Sequence, residues 1–164
     1  LGISKEDAKD LIARHHLKVP FVKGLADIAS KQGAKNGQIR TLLGRKGRFH
    51  LWEPTTFGAG KPLPHDEAMK EYGGPNGRGI RRAFTYKALN KLIQGSAADQ
   101  TKKAMLDCYN EGYTPMLTVH DELCFNIDSP EQTARIKEIM ETGIKLAIPS
   151  KIDVDVQNDW GDIE

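Results

Sequence analysis

Apolar residues recur with a helical period at the start of the chain. Leu11, Ile12 and His15 fall on one face of a segment that Ser4 can cap, with Glu6 and Asp7 in its positive first turn. This predicts a helix from Lys5 to about His16. Pro20 suits the first turn of a second helix. Phe21, Leu25, Ile28 and Ala29 keep the i, i+4, i+7, i+8 spacing, and Gly33 is a natural stop. The run GQIRTLLGRKGRFHLW changes to strand, turn, strand, with Gly44-Arg45-Lys46-Gly47 as the turn. Residues 53–79 show no period and hold Pro54, Pro62, Pro64 and Pro75 among many glycines, which predicts one long loop.

The helical period returns from Ile80 to Glu111. Leu89, Leu92, Ile93, Ser96, Ala97, Ala104, Met105 and Cys108 share a face, and Gly112 ends the run. Such a helix is long, so Gly95 within it marks a bend or a place of close approach. The stretch from Met116 to Asp128 is too long for one ordinary strand. Two strands, joined by a tight turn at His120-Asp121-Glu122, fit it better. Ser129-Pro130-Glu131-Gln132 reads as a capping box with proline at the first helical position. Ile136, Ile139, Met140, Ile144 and Ala147 give that helix its apolar face, and Pro149 ends it. Ile152, Val154 and Val156 alternate with Asp153, Asp155 and Gln157, the pattern of a one-sided final strand. There is no internal repeat. The elements add up to an α+β chain.

Composition narrows the class without naming a function. The 164 residues are 38% hydrophobic and 28% charged, as in an ordinary soluble domain or a large piece of one. No apolar run approaches the roughly 20 residues that span a bilayer, and no signal peptide is visible. Cys108 and Cys124 are too few and too far apart for a metal knuckle, which points to a reducing compartment. The chain opens on Leu1, not Met, so it is expected to be an excised or processed piece. Net charge is only +2, yet it is unevenly spread. Residues 1–50 carry eleven Lys and Arg against four Asp and Glu, whereas residues 101–164 carry six against thirteen. A basic part suits a polyanion and an acidic part suits metal ions. Two solvated faces that offset each other account for the charges equally well.

Asp121 and Glu122 interrupt the most strand-like run of the chain. At a turn they would stand at the rim of a sheet, where ions and water reach them. A carboxylate on a rigid support suits Mg²⁺, which typically takes one or two protein carboxylates plus water and substrate phosphates. Polar residues are common in turns for other reasons, so the triplet alone says little.

The order of motifs says more. Gly44-Arg45 lies in a basic turn, and Asn90-Lys91-Leu92-Ile93-Gln94-Gly95-Ser96-Ala97-Ala98-Asp99 lies in a long helix. Val119-His120-Asp121-Glu122 follows in a hairpin, and Asn158-Asp159-Trp160 closes the last strand. From Leu1 to Trp160 this arrangement closely resembles the C-terminal portion of family A DNA polymerases, the bacterial DNA polymerase I type and its phage relatives. The loop at 53–79 is longer than in the bacterial enzyme and more phage-like.

The resemblance implies that residues 1–33 end the fingers and residues 34–164 form the latter half of the palm. The palm would be an antiparallel sheet with a catalytic hairpin, packed on long helices. The resemblance makes Asp121 a ligand of the two catalytic Mg²⁺ ions, places the less critical Glu122 near the primer terminus and puts His120 against the primer end. It carries Gln94 to the minor groove, with Asn90 one helical turn earlier on the same face. Arg40, Arg45, Lys46, Arg48, Arg81, Arg82, Lys87 and Lys91 are candidates for phosphate contacts, each singly as readily a solvated charge. His15, His16, His50 and His65 lack metal-ligand spacing, and Trp52 and Trp160 read as core anchors.

The implied partners are primer-template DNA and deoxynucleoside triphosphates, in the cytoplasm of a bacterial or phage-infected cell. The family's second metal-binding Asp and its triphosphate-binding fingers helix are not in these residues. The chain is therefore expected to be inactive by itself and to need the upstream half of the polymerase. Two rivals stand beside this reading. A phage-type single-subunit RNA polymerase shares the palm, but there a small hydroxyl residue usually follows the hairpin Asp, where this chain has Glu122. A non-catalytic DNA-binding fragment is the other.

Overall fold

The computed structural model describes residues 2–56, 58–74 and 79–159. The chain divides into two compact units, Leu1–Gly95 and Ser96–Glu164. Its elements run α1 (Lys5–Lys18), α2 (Pro20–Asn36), β1 (Gln38–Arg40), β2 (Lys46–Arg48), β3 (Leu51–Pro54), β4 (Leu63–Pro64) and α3 (His65–Tyr72). After these come β5 (Ile80–Arg82), a 3₁₀ turn at Thr85–Lys87, α4 (Ala88–Asn110), β6 (Pro115–Val119), β7 (Glu122–Phe125) and α5 (Pro130–Thr142). Helices and antiparallel strands make the chain α+β. Among the described residues the strands form three small sheets, β1-β2, β4-β3-β5 and β6-β7, rather than one broad sheet.

In the first unit Ser4 caps α1 as expected, its hydroxyl oxygen accepting from the Asp7 amide at 3.1 Å. Pro20 begins α2, but the helix runs past Gly33. It stops at Gly37, whose φ of +68° is the left-handed conformation that only glycine adopts without steric cost. Gly33 instead makes room for Phe49: a β-carbon there would lie 2.9 Å from Phe49 Cε2. Phe49 is the centre of a cluster with Ala29, Ile39 and Ala88, flanked by Leu89 and Leu92. Apart from Ala29, the apolar faces of α1 and α2 do not join it. Leu11, Ile12, Phe21, Leu25 and Ile28 are each half exposed or more.

The β1-β2 hairpin forms with Ile39 opposite Gly47, so Lys46 and Gly47 belong to the strand and the turn lies at residues 41–45. The expected loop at 53–79 is only partly a loop. Leu63 and Pro64 pair with Trp52 and Leu51, and α3 follows. Of the prolines that look like loop punctuation, Pro54 ends β3 and Pro64 precedes the first residue of α3, where a missing N–H costs little, while Pro75 lies outside the described residues. The Trp52 ring meets His65 edge-on at 4.9 Å and lies under the Arg82 guanidinium at 4.6 Å. Trp52 is thus half-buried against a cation rather than sunk in the core, while Trp160 lies outside the described residues.

The long helix also starts later than its period. Ile80–Arg82 pair with Pro54–Trp52 as β5, and Phe84, at φ 61°, reverses the chain before α4. Gly112, at φ +92°, follows its end. Ala104 and Cys108 of its expected face are buried, but Ile93 is 59% exposed.

In the second unit Cys108, Ile136 and Ile139 form the core, with Tyr113, Phe125, Ile127 and Met140 against it. The capping box is not made. Ser129 gives α5 no side-chain cap, and the Gln132 side chain accepts from the Asp128 amide instead. The Ser129 hydroxyl bonds to Glu131 and holds that carboxyl below its ordinary pKa. Residues 151–157 form no strand despite their alternation. A strand needs a neighbour to complete its ladder; no described strand lies beside this segment, and the Ile152 amide donates instead to Glu141 Oε1 at 3.1 Å.

Burial pushes the Cys108 thiol pKa up, and the charges of Asp107 and Glu111 add to it. A raised pKa in the folded state means full stability below the usual thiol range. That contribution declines as pH climbs past about 8.5, where the unfolded thiol ionises first. Alkylation of the native chain near pH 8, read by peptide mass mapping, is expected to modify the half-buried Cys124 well before Cys108. Equal rates at the two sulfurs would contradict this packing.

Candidate metal and nucleic-acid site

Val119 and Glu122 are paired across the β6-β7 ladder, so only His120 and Asp121 lie between the strands. The pairing continues through Thr118–Leu123 and Leu117–Cys124, with an irregularity between Pro115 and Leu117. A two-residue turn needs a positive φ to match the twist of its strands. His120 supplies it at φ 54°. A β-carbon makes that conformation cost about 1–2 kcal/mol, strain of a kind that collects at functional sites.

His120, Asp121 and Glu122 are all exposed. No described residue hydrogen-bonds or ion-pairs with the Asp121 carboxylate. Two oxygens held at the tip of a paired hairpin, with no partner among the described residues, are a donor set that a hard cation would accept. The described residues include no group of three or more His, Cys, Asp and Glu that could hold a metal ion. The fit is therefore that of one share of a site, as suits magnesium held by few protein ligands.

The remaining candidates lie in the first unit. Asn90 and Gln94 are exposed and one turn apart on α4, as the sequence predicts. The basic residues separate into two groups. Several have internal partners. Arg81 Nε donates to Glu53 at 3.0 Å, and Arg82 donates to the Phe49 carbonyl at 2.9 Å beneath Trp52. Arg45 donates to the Gly95 carbonyl at 2.7 Å. Lys91 donates to the Arg48 carbonyl at 3.1 Å and lies 4.7 Å from the Phe49 ring centre. Others keep their charge in solvent. Lys46 and Arg48 are exposed on β2, and Arg40 donates to the Gly44 carbonyl of its own hairpin at 3.2 Å. Lys87 lies over Phe84 at 5.0 Å and Tyr86 at 5.7 Å.

Sequence reasoning overlooked Thr41. Its Cγ2 methyl would lie 2.6 Å from a β-carbon at Gly95. The close approach expected at Gly95 is therefore made by the β1-β2 turn. The signal was the pairing of a basic turn with an interior helical glycine, which spacing alone does not connect.

Comparison with known proteins agrees with the motif order. The model of the family described as DNA polymerase family A matches residues 1–162. A DNA-directed DNA polymerase of Pseudomonas phage M6 is 35% identical over 144 residues, covering 88% of this chain and 18% of that protein. DNA polymerase I of Treponema pallidum is 31% identical over 172 residues, covering 99% of this chain and 15% of its own. Thermostable DNA polymerase I of Thermus aquaticus is 29% identical over 167 residues, again 98% of this chain and 18% of the relative. A solved structure, the POL domain of Pol1 from M. smegmatis in complex with DNA primer-template and dNTP, superposes with a TM-score of 0.64 at 27% identity. It covers 90% of this chain and 24% of that one. The chain thus spans less than a fifth of the length of these curated relatives. These matches favour the DNA polymerase over the RNA polymerase reading. No helix among the described residues is long and apolar enough to cross a membrane. A family match over nearly the whole chain leaves one assignment: it belongs to DNA polymerase family A.

Proposed function

We propose that this chain supplies part of the catalytic surface of a DNA-directed DNA polymerase. The observation that carries the reading is the exposed Asp121 carboxylate at the two-residue β6-β7 turn, which has no partner among the described residues. In template-directed synthesis the primer 3′ oxygen attacks the α-phosphorus of a deoxynucleoside triphosphate. A new P–O bond forms, the bond to pyrophosphate breaks and the hydroxyl proton leaves. Asp121 holds Mg²⁺ in this reading, together with a carboxylate from the upstream half of the polymerase. Bound there, magnesium supplies charge that favours the ionised hydroxyl and neutralises the leaving pyrophosphate.

His120 lies against the primer end, and Glu122 flanks it. Gln94 and Asn90 face the minor groove, where the hydrogen-bond acceptors of all four base pairs occupy similar places. Amides there test pair geometry without reading sequence. The solvent-facing cations, Lys46, Arg48, Arg40 and Lys87, meet phosphates and orient the duplex. The relatives are polymerases of bacteria and a phage, which supports a reading in which the work is done in the cytoplasm of a bacterial or infected cell.

The 164 residues alone are expected to give no template-directed extension of a labelled primer. Joined to the upstream half of the polymerase, they are expected to extend it with deoxynucleotides in preference to ribonucleotides. Extension by the isolated chain would overturn the need for a partner half, and a preference for ribonucleotides would restore the RNA polymerase reading.

A further inference from the structure

We propose that Arg45 and Thr41 are positioning residues that set the minor-groove face of α4, and that Arg45 is not a phosphate contact. The inference rests on the polymerase reading above. Its support is a reciprocal latch between the β1-β2 hairpin and the first turns of α4. From the hairpin, Arg45 Nη2 donates to the Gly95 carbonyl at 2.7 Å. From the helix, Lys91 Nζ donates to the Arg48 carbonyl at 3.1 Å, over the Phe49 ring.

The spacing gives the latch its meaning. Asn90 is followed directly by Lys91, and Gln94 directly by Gly95. Each candidate minor-groove amide therefore adjoins a residue tied to the hairpin. At the second tie, Thr41 packs where Gly95 has no side chain. Thr41 is itself 7% exposed, and its hydroxyl is buried without a hydrogen-bond partner among the described residues. An orphaned buried hydroxyl is unfavourable, so packing at that point is maintained against a local cost. Two hydrogen bonds and one contact fix the rotation of α4 about its own axis where the amides project. A small rotation there moves a side-chain amide out of hydrogen-bond reach of a base edge, since such bonds weaken steeply with distance and angle.

The test uses the assembled polymerase, this chain joined to its upstream half. Extension is read from matched and mismatched primer ends, duplex affinity across a salt series, and melting temperature on each variant. Arg45→Ala is expected to lower the matched-to-mismatched ratio about three- to tenfold, the scale of one hydrogen bond. The slope of log affinity against log salt is expected to stay at its wild-type value. Lys46→Ala, by contrast, should reduce that slope by about one.

Gly95→Ala should lower the ratio as Arg45→Ala does. Adding Thr41→Ser, which removes the Cγ2 methyl, should restore it. A slope reduced by about one in Arg45→Ala would make Arg45 a phosphate contact and overturn the proposal. So would a lower melting temperature with an unchanged ratio, or a Gly95→Ala defect that Thr41→Ser leaves in place. Failure of the polymerase reading looks different: wild type then shows neither extension nor salt-dependent duplex binding, and the proposal falls with it.

Discussion

Asp121→Asn in the assembled polymerase is expected to lower primer extension by about a hundred- to a thousandfold while leaving the melting temperature unchanged. The substitution keeps the shape of the side chain and removes its charge. Electrostatic stabilisation is usually the largest single contribution to a catalysed rate, and one lost group of this kind typically costs that much. Stability should not follow, because Asp121 is exposed and has no partner to lose among the described residues. Exposed substitutions of this type usually change stability by less than about 0.5 kcal/mol. The two readouts together separate a catalytic from a structural role. Unchanged extension would favour the non-catalytic DNA-binding reading, and a large fall in melting temperature would mean that the turn itself depends on the carboxylate. Glu122→Gln should have a smaller effect on rate, since Glu122 begins β7 beside the turn and does not stand at its tip.

The largest effect on stability is expected from Phe49→Ala. Phe49 is 3% exposed and centres the first unit's core. Phe→Ala in a packed interior costs about 3–5 kcal/mol, through lost transfer energy and the cavity left behind. Set against the 5–15 kcal/mol that holds a typical domain together, this is enough to unfold much of the unit. The site also has little means of collapsing, because Gly33 on α2 has no side chain to move into the space. Denaturant unfolding followed by tryptophan fluorescence would measure it, with Trp52 as a reporter inside the unit. A loss below about 1 kcal/mol would show that the cluster is not the unit's core. Phe49→Leu, which keeps most of the volume, should cost much less.

Local signals were legible where the chain settles a question with its own neighbours. The Ser4 cap, Pro20 at a helix start and Gly112 after α4 follow from backbone and short-range chemistry and form as the sequence predicts, while both hairpins form with turns shifted from the predicted residues, to 41–45 and to His120-Asp121. Failures came where the answer depends on another segment. Ile152, Val154 and Val156 alternate like a strand but remain outside any ladder, because alternation states a preference for a partner and does not provide one. Gly33 looked like a helix stop because glycine is a common one. Its reason is Phe49, sixteen residues further along the sequence, and spacing cannot show that. Residues 53–79 were read as a loop from their prolines, yet β4 finds its partner in β3 and α3 follows at once. The helical reading from Ile80 failed for the same reason: β5 pairs with β3 rather than continuing into α4.

The sequence by itself determined the family, the α+β character and the candidate chemistry at the His120-Asp121-Glu122 turn. Motif order survives without coordinates, and a two-residue turn between strands is a local event. Only the tertiary structure decided which cations find an acceptor on a distant segment. Arg45, Lys91 and Arg82 reach carbonyls on other elements, whereas Lys46 and Arg48 stay in solvent. All five carry the same charge in sequence. What distinguishes them is whether an acceptor from a distant segment lies within reach, and packing alone brings one there.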